Sequence, residues 1–97
     1  MSFLDQKSDK PIFMQFTAIW CGPCRMLNPI VDKIKVHKSE DVNFMRIDVD
    51  TQSTIAEEFS IRGVPTMILL DKEGKISWRH TGLASEKEIL NHIENIL

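Results

Sequence analysis

The sequence predicts an α/β domain with a central mixed sheet flanked by helices, in the order β-α-β-α-β-β-α. Three observations carry that reading. Short apolar runs alternate with helical stripes as far as Phe59, two further runs flank a four-residue turn, and a capping box opens an amphipathic last segment. A chain of 97 residues fits one domain, 1–97, with no internal repeat or linker to divide it.

The segment from Phe3 to Pro11 starts like the end of a helix and closes in turn chemistry, so only a short amphipathic stub fits before Pro11 stops it. Ile12 to Ala18 is rich in β-branched and aromatic residues and reads as a buried strand. Leu27, Ile30, Val31 and Ile34 then recur at i, i+3, i+4 and i+7, which places an apolar stripe on a helix from Cys21 to His37. Pro29 lies inside it and predicts a kink. Val42 to Val49 reads as the second strand, and Thr51 to Phe59 as a short helix with Ile55, Ala56 and Phe59 inward. Thr66 to Leu70 and Lys75 to His80 flank Asp71-Lys72-Glu73-Gly74, a hairpin turn with Gly where a positive φ is convenient. Ser85-Glu86-Lys87-Glu88 caps a final helix whose Ile89, Ile93 and Leu97 face inward, with Leu90 and Ile96 beside them.

Composition removes several function classes. Fourteen acids and twelve bases are mixed along the chain for a formal charge of −2, so no basic footprint for nucleic acid or anionic lipid exists. The longest apolar run, Val64 to Leu70, is far below the ~20 residues that span a bilayer, and Pro65 interrupts it. Met1 to Pro11 has no basic start followed by an apolar core, so no secretory leader is read and the expected location is cytoplasmic. No P-loop or dinucleotide fingerprint is present, and no cofactor is expected.

Both cysteines lie in Trp20-Cys21-Gly22-Pro23-Cys24, between the first strand and the first long helix. Residues three apart at a helix start share a face, with Cα atoms about 5 to 6 Å apart, within the span a disulfide closes. Cys21 falls where unpaired N–H groups and the helix dipole favour a thiolate, and Cys24 lies one turn inside. Cys21 is therefore the expected attacking sulfur and Cys24 the resolving one. Lowering a thiol pKa from ~8.5 to ~7 raises the thiolate fraction at pH 7 about sixteenfold, but a Brønsted coefficient near 0.45 removes roughly fivefold in nucleophilicity. Proximity of the second thiol then matters more than acidity. Two structural thiols, or a metal site shared by two chains, are the competing readings. His37, His80 and His92 lack ligand spacing with the cysteines, so no metal site is expected within one chain.

The chain resembles the thioredoxin family in Ser8-Asp9-Lys10-Pro11, Trp20-Cys21-Gly22-Pro23-Cys24 with Pro29, Ile47-Asp48-Val49-Asp50, Ile61-Arg62-Gly63-Val64-Pro65-Thr66, and Gly82 after the last strand. The resemblance implies a thioredoxin fold and protein-disulfide reductase activity, with Cys21 and Cys24 catalytic and Trp20, Gly22, Pro23 and a cis Pro65 supporting them. It also implies substrate contacts at Gly63, Val64, Thr66, Gly82 and Leu83, with the Val64 backbone pairing an extended peptide. The implied partners are disulfide-containing proteins and an upstream disulfide reductase, and the implied state is a monomer. A binding module with vestigial redox activity is the alternative.

Two departures stand out. The family's buried aspartate six residues before the nucleophile is Gln15 here, and its companion lysine corresponds to Phe44, so both members of that charged pair are replaced by uncharged residues. Gln15 cannot act as the base for Cys24, which leaves water or a substrate group, with His80 a candidate relay. The usual first strand and fuller helix also lack room ahead of Ser8, so the first strand is expected to be missing. The strand Val42 to Val49 then becomes a sheet edge, protected by Arg46 and Asp48. Met14, Met26, Met45 and Met67 are read as core, and Asp48 and Asp50 as strand-end and capping residues.

Overall fold

A computed structural model describes residues 7–97; the helical stub expected before Ser8 lies largely outside them. The elements are β1 (Ile12–Thr17), α1 (Gly22–Lys38), β2 (Asn43–Asp48), α2 (Ser53–Glu58), β3 (Thr66–Leu70), β4 (Ile76–Thr81) and α3 (Glu86–Glu94). Among the described residues the strand order is β2-β1-β3-β4, with β2 at one edge. β1 runs parallel to β2 and antiparallel to β3, and β3 runs antiparallel to β4. This is the mixed sheet expected for the element order.

The alternation of β1 divides the interior into two layers. Phe13 joins Leu27, Val31 and Ile34 of α1 and Ile89 and Ile93 of α3 on one face. Met14 and Phe16 join Ile47, Ile68, Ala56 and Phe59 on the face covered by α2. Both faces of the central strands are covered, which is why all five residues of β3 are buried and its sequence is apolar almost throughout. Gln15 is the polar residue that β1 carries into this interior.

Local chemistry sets the ends of the elements. Ser85 Oγ accepts from the Glu88 amide at 3.1 Å, satisfying one N–H of the first turn of α3, a cap worth about 1 kcal/mol. In the β3–β4 turn the Asp71 carboxylate accepts from the amides of Glu73 and Lys75, and Gly74 takes the positive φ of 86°. Arg79 of β4 donates to the carbonyls of Phe59 and Ser60, tying the end of α2 to the sheet.

Two packing expectations are corrected. Met26 is 64% exposed, because it falls on the outer side of α1 while Cys24, Leu27, Val31 and Ile34 form the buried stripe. Leu97 is 54% exposed, because α3 ends at Glu94 and the helical repeat no longer directs the residues beyond it. Met14 and Met67 are core residues as expected, and Met45 is half-buried.

Candidate active site

The first strand ends at Thr17, and Ala18 to Trp20 carry the chain across the sheet end into α1. Cys21 is the N-cap of that helix. Its amide donates to the Ala18 carbonyl at 3.2 Å, and its Sγ accepts from the Cys24 amide at 3.2 Å. A sulfur in this position satisfies one of the orphan N–H groups of the first turn, an arrangement that stabilises negative charge on it. Pro23 fits the first turn because no intrahelical acceptor exists there for its missing N–H.

Cys21 and Cys24 are joined as a disulfide with Cα atoms 5.3 Å apart. Both sulfurs are shielded, Cys21 at 4% exposure and Cys24 at 1%, and they pack with Ala18, Val49 and Val64. Gly22 and Pro23 are exposed over them. Beside the pair, Trp20, Ile61, Arg62, Gly63 and Val64 line a shallow cleft of about 160 Å³. Trp20 is 66% exposed, and its indole N–H donates to Asp50 Oδ2 at 2.8 Å.

The Val64–Pro65 peptide is cis. The Pro65 carbonyl accepts from the Gly82 amide at 2.8 Å, which holds the Gly82–Leu83 corner against the Pro65 loop. Gly82 has φ of 103°, where a side chain would be strained. Thr66 is buried; its hydroxyl donates to the Gly63 carbonyl at 2.7 Å and meets the Thr81 hydroxyl at 3.2 Å. Thr66 thus acts on the loop from below, while Leu83, Gly63 and Trp20 form its outer surface. His80 engages the Leu83 carbonyl at 2.8 Å and stacks on Trp78, so its ring holds the corner loop.

Asn28, one turn beyond Cys24 on α1, belongs to a polar set. Gln15, 1% exposed, donates through Nε2 to Asn28 Oδ1 at 2.6 Å and accepts at Oε1 from Arg46 Nε at 3.0 Å. Arg46 also reaches Asp32 at 2.6 Å. The sequence reading placed Phe44 in the charged partner's position, but the parallel register sets Phe13 beside Phe44 and Gln15 beside Arg46. Phe44 packs on Phe13 with ring centroids 5.4 Å apart. The cation facing Gln15 therefore comes from two residues farther along β2.

Asn28, the bond of Asp50 to Trp20, and Arg46 as the partner of Gln15 were not singled out from the sequence. The available signal was strand register: pairing Thr17 with Asp48 puts Trp20 and Asp50 just past two adjacent strand ends. Exposed Ile19 and Met26, also missed, add apolar surface around the cysteine turn.

The family model described as Thioredoxin matches residues 2–95. Thioredoxin H3 of Arabidopsis thaliana is 44% identical over 86 residues, covering 88% of this chain and 70% of its own. The thioredoxin of Mycobacterium tuberculosis is 32% identical over 90 residues, covering 93% and 77%. The X-ray structure of Fasciola hepatica thioredoxin superposes with a TM-score of 0.80 at 33% identity, covering 91% of this chain and 82% of its own. The chain belongs to the thioredoxin family and is a thiol–disulfide oxidoreductase. No helix among the described residues is long and apolar enough to cross a membrane.

Proposed function

We propose that this thioredoxin-family chain works as a protein-disulfide reductase through an ordered exchange at Cys21 and then Cys24. The observation that carries this reading is the asymmetry of the pair. Cys21 Sγ receives the Cys24 N–H at the helix start, whereas Cys24 lies beneath it in the first turn. In the reduced protein the Cys21 thiolate attacks a substrate disulfide, forming a mixed disulfide and releasing one substrate sulfur as a thiolate. Cys24, deprotonated, then attacks Cys21 Sγ. The Cys21–substrate bond breaks as the Cys21–Cys24 bond forms, so two electrons pass to the substrate and two cysteines are oxidised.

The supporting surface follows from the loops around the pair. Trp20, Gly22 and Pro23 cover the sulfurs, and the cis Pro65 shapes the loop that faces them. Gly63, Val64, Gly82 and Leu83 offer a low rim on which an extended segment of a disulfide-containing protein lies, its backbone pairing with Val64. Thr66 contributes by fixing Gly63. The Gly-Pro dipeptide between the cysteines supports a reducing role, which requires an upstream disulfide reductase to restore the dithiol. Residues 1–97 act as one domain, as a monomer, in the cytoplasm.

The test is reduction of insulin by dithiothreitol, followed by turbidity. The protein is expected to speed precipitation beyond the blank, and Cys24→Ser is expected to lose most of that acceleration and, when prereduced and mixed with insulin free of dithiothreitol, to hold a mixed disulfide at Cys21. Turbidity no faster than the blank would overturn the reading.

A further inference from the structure

Resting on the exchange mechanism above, we propose that Arg62 selects among protein substrates by pairing with an acidic side chain close to the disulfide they present. The chain has four arginines, and three of them are committed to groups of its own. Arg25 donates to the Ile19 carbonyl at 3.0 Å, Arg46 is held by Gln15 and Asp32, and Arg79 by the carbonyls of Phe59 and Ser60. The Arg62 side chain is exposed and makes no hydrogen bond, ion pair or ring contact among the described residues. Its guanidinium therefore keeps a planar fork of donors that matches a carboxylate.

Its position gives that uncommitted charge a use. Arg62 lines the cleft of about 160 Å³ beside the cysteines, and among the described residues lining it Arg62 is the one that carries charge. That volume is well below the roughly 300 Å³ at which small-molecule sites begin, so the cleft suits one side chain of a passing segment. The rest of the lining, from Trp20, Val49, Ile61, Gly63 and Val64, suits an apolar one. Arg62 lies two residues before Val64, so an extended segment paired on the Val64 backbone, rising ~3.3 Å per residue, passes close to the guanidinium. The side chain in the cleft and the carboxylate on Arg62 then belong to nearby positions of one segment.

Charge elsewhere decides where a substrate carboxylate settles. The chain carries a formal charge of −2, so the protein as a whole offers an acidic partner no long-range attraction, and the preference is local. Asp50, bonded to the indole of Trp20, puts negative charge at the Trp20 side of the site, where a substrate carboxylate is repelled. Arg62 supplies the favourable position. An exposed ion pair contributes little, so the expected discrimination is about threefold for Glu over Gln at low ionic strength. It vanishes at about 1 M salt, where the screening length falls to about 3 Å.

Short peptides, each disulfide-linked to a second copy through one cysteine, test this, with Glu, Gln or Lys placed in turn at successive positions on either side of that cysteine. Their reduction by the prereduced protein is followed by chromatography of the released peptide thiol. On one flank the Glu peptide is expected to react about threefold faster than the Gln peptide, and the Lys peptide about threefold slower. Arg62→Gln is expected to bring the three rates together, and Arg62→Glu to reverse their order. Equal rates with the parent at every position, or a preference for Glu that survives Arg62→Gln, would overturn the role of Arg62. Peptides left intact by the parent whatever their charge would instead overturn the exchange mechanism itself.

Discussion

The two cysteines lie 5.3 Å apart between two unlike regions. On the Cys21 side the surface is low and largely apolar, built from Trp20, Gly63, Val64 and Leu83, with a shape set by backbone bonds such as Gly82 to Pro65. Behind Cys24 lies a set of side-chain bonds that runs from Asn28 through Gln15 and Arg46 to Asp32. The first region is shaped by backbone bonds; the second is held by side-chain hydrogen bonds and an ion pair. In the proposed exchange, the mixed disulfide forms at Cys21, on the first side, and Cys24 resolves it from the second.

The largest effect expected from this contrast is in thiol reactivity. In the reduced protein, Cys21 is expected to alkylate with iodoacetamide at least tenfold faster than Cys24 at pH 7, measured by mass spectrometry of partly modified protein. The helix-start bond from the Cys24 amide to Cys21 Sγ acts in that direction, since it favours the Cys21 thiolate. Equal rates would remove the asymmetry on which the order of attack rests.

The inner region should dominate stability. Gln15→Leu leaves Asn28 Oδ1 and Arg46 Nε without the amide that joins them, and a buried polar group deprived of its partner costs about 1–3 kcal/mol. Urea unfolding is expected to show a loss of about 2 kcal/mol with an unchanged m-value. Asp32 and the solvent beside Arg46 recover part of the loss, since that guanidinium is more than a third exposed. A neutral substitution would mean that the inner network positions groups without holding the fold together.

These regions were not equally legible in the sequence. The cysteine turn could be read because strand, helix start and C-x-x-C spacing are all local features, and their chemistry follows from position on one helix. The order of elements was legible for a similar reason: apolar periodicity changes from two to 3.6 along the chain. The inner network was harder because it depends on register. Gln15 meets Arg46 only once β1 and β2 are known to run parallel with Phe13 beside Phe44, and a shift of two residues exchanges a phenyl ring for a guanidinium. Met26 misled for another reason. Hydrophobic residues around a docking surface look like core residues until the buried stripe of their own helix is fixed.

The smallest expected effect belongs to the contact between Trp20 and Asp50. The indole is mostly exposed and its bond to Asp50 spans solvent-accessible atoms, so neither desolvation nor packing makes it strong. Asp50→Asn keeps an acceptor for the indole N–H and removes the charge. Stability is expected to change by less than about 0.5 kcal/mol, as is usual for an exposed position. Substrate handling should respond more, because this bond holds a bare ring beside the cleft through which a partner approaches. Insulin reduction is expected to show KM raised about twofold with kcat retained, and Trp20 fluorescence should shift toward that of a freely rotating indole. A drop in kcat with KM unchanged would mean that Asp50 acts on the sulfurs rather than on docking.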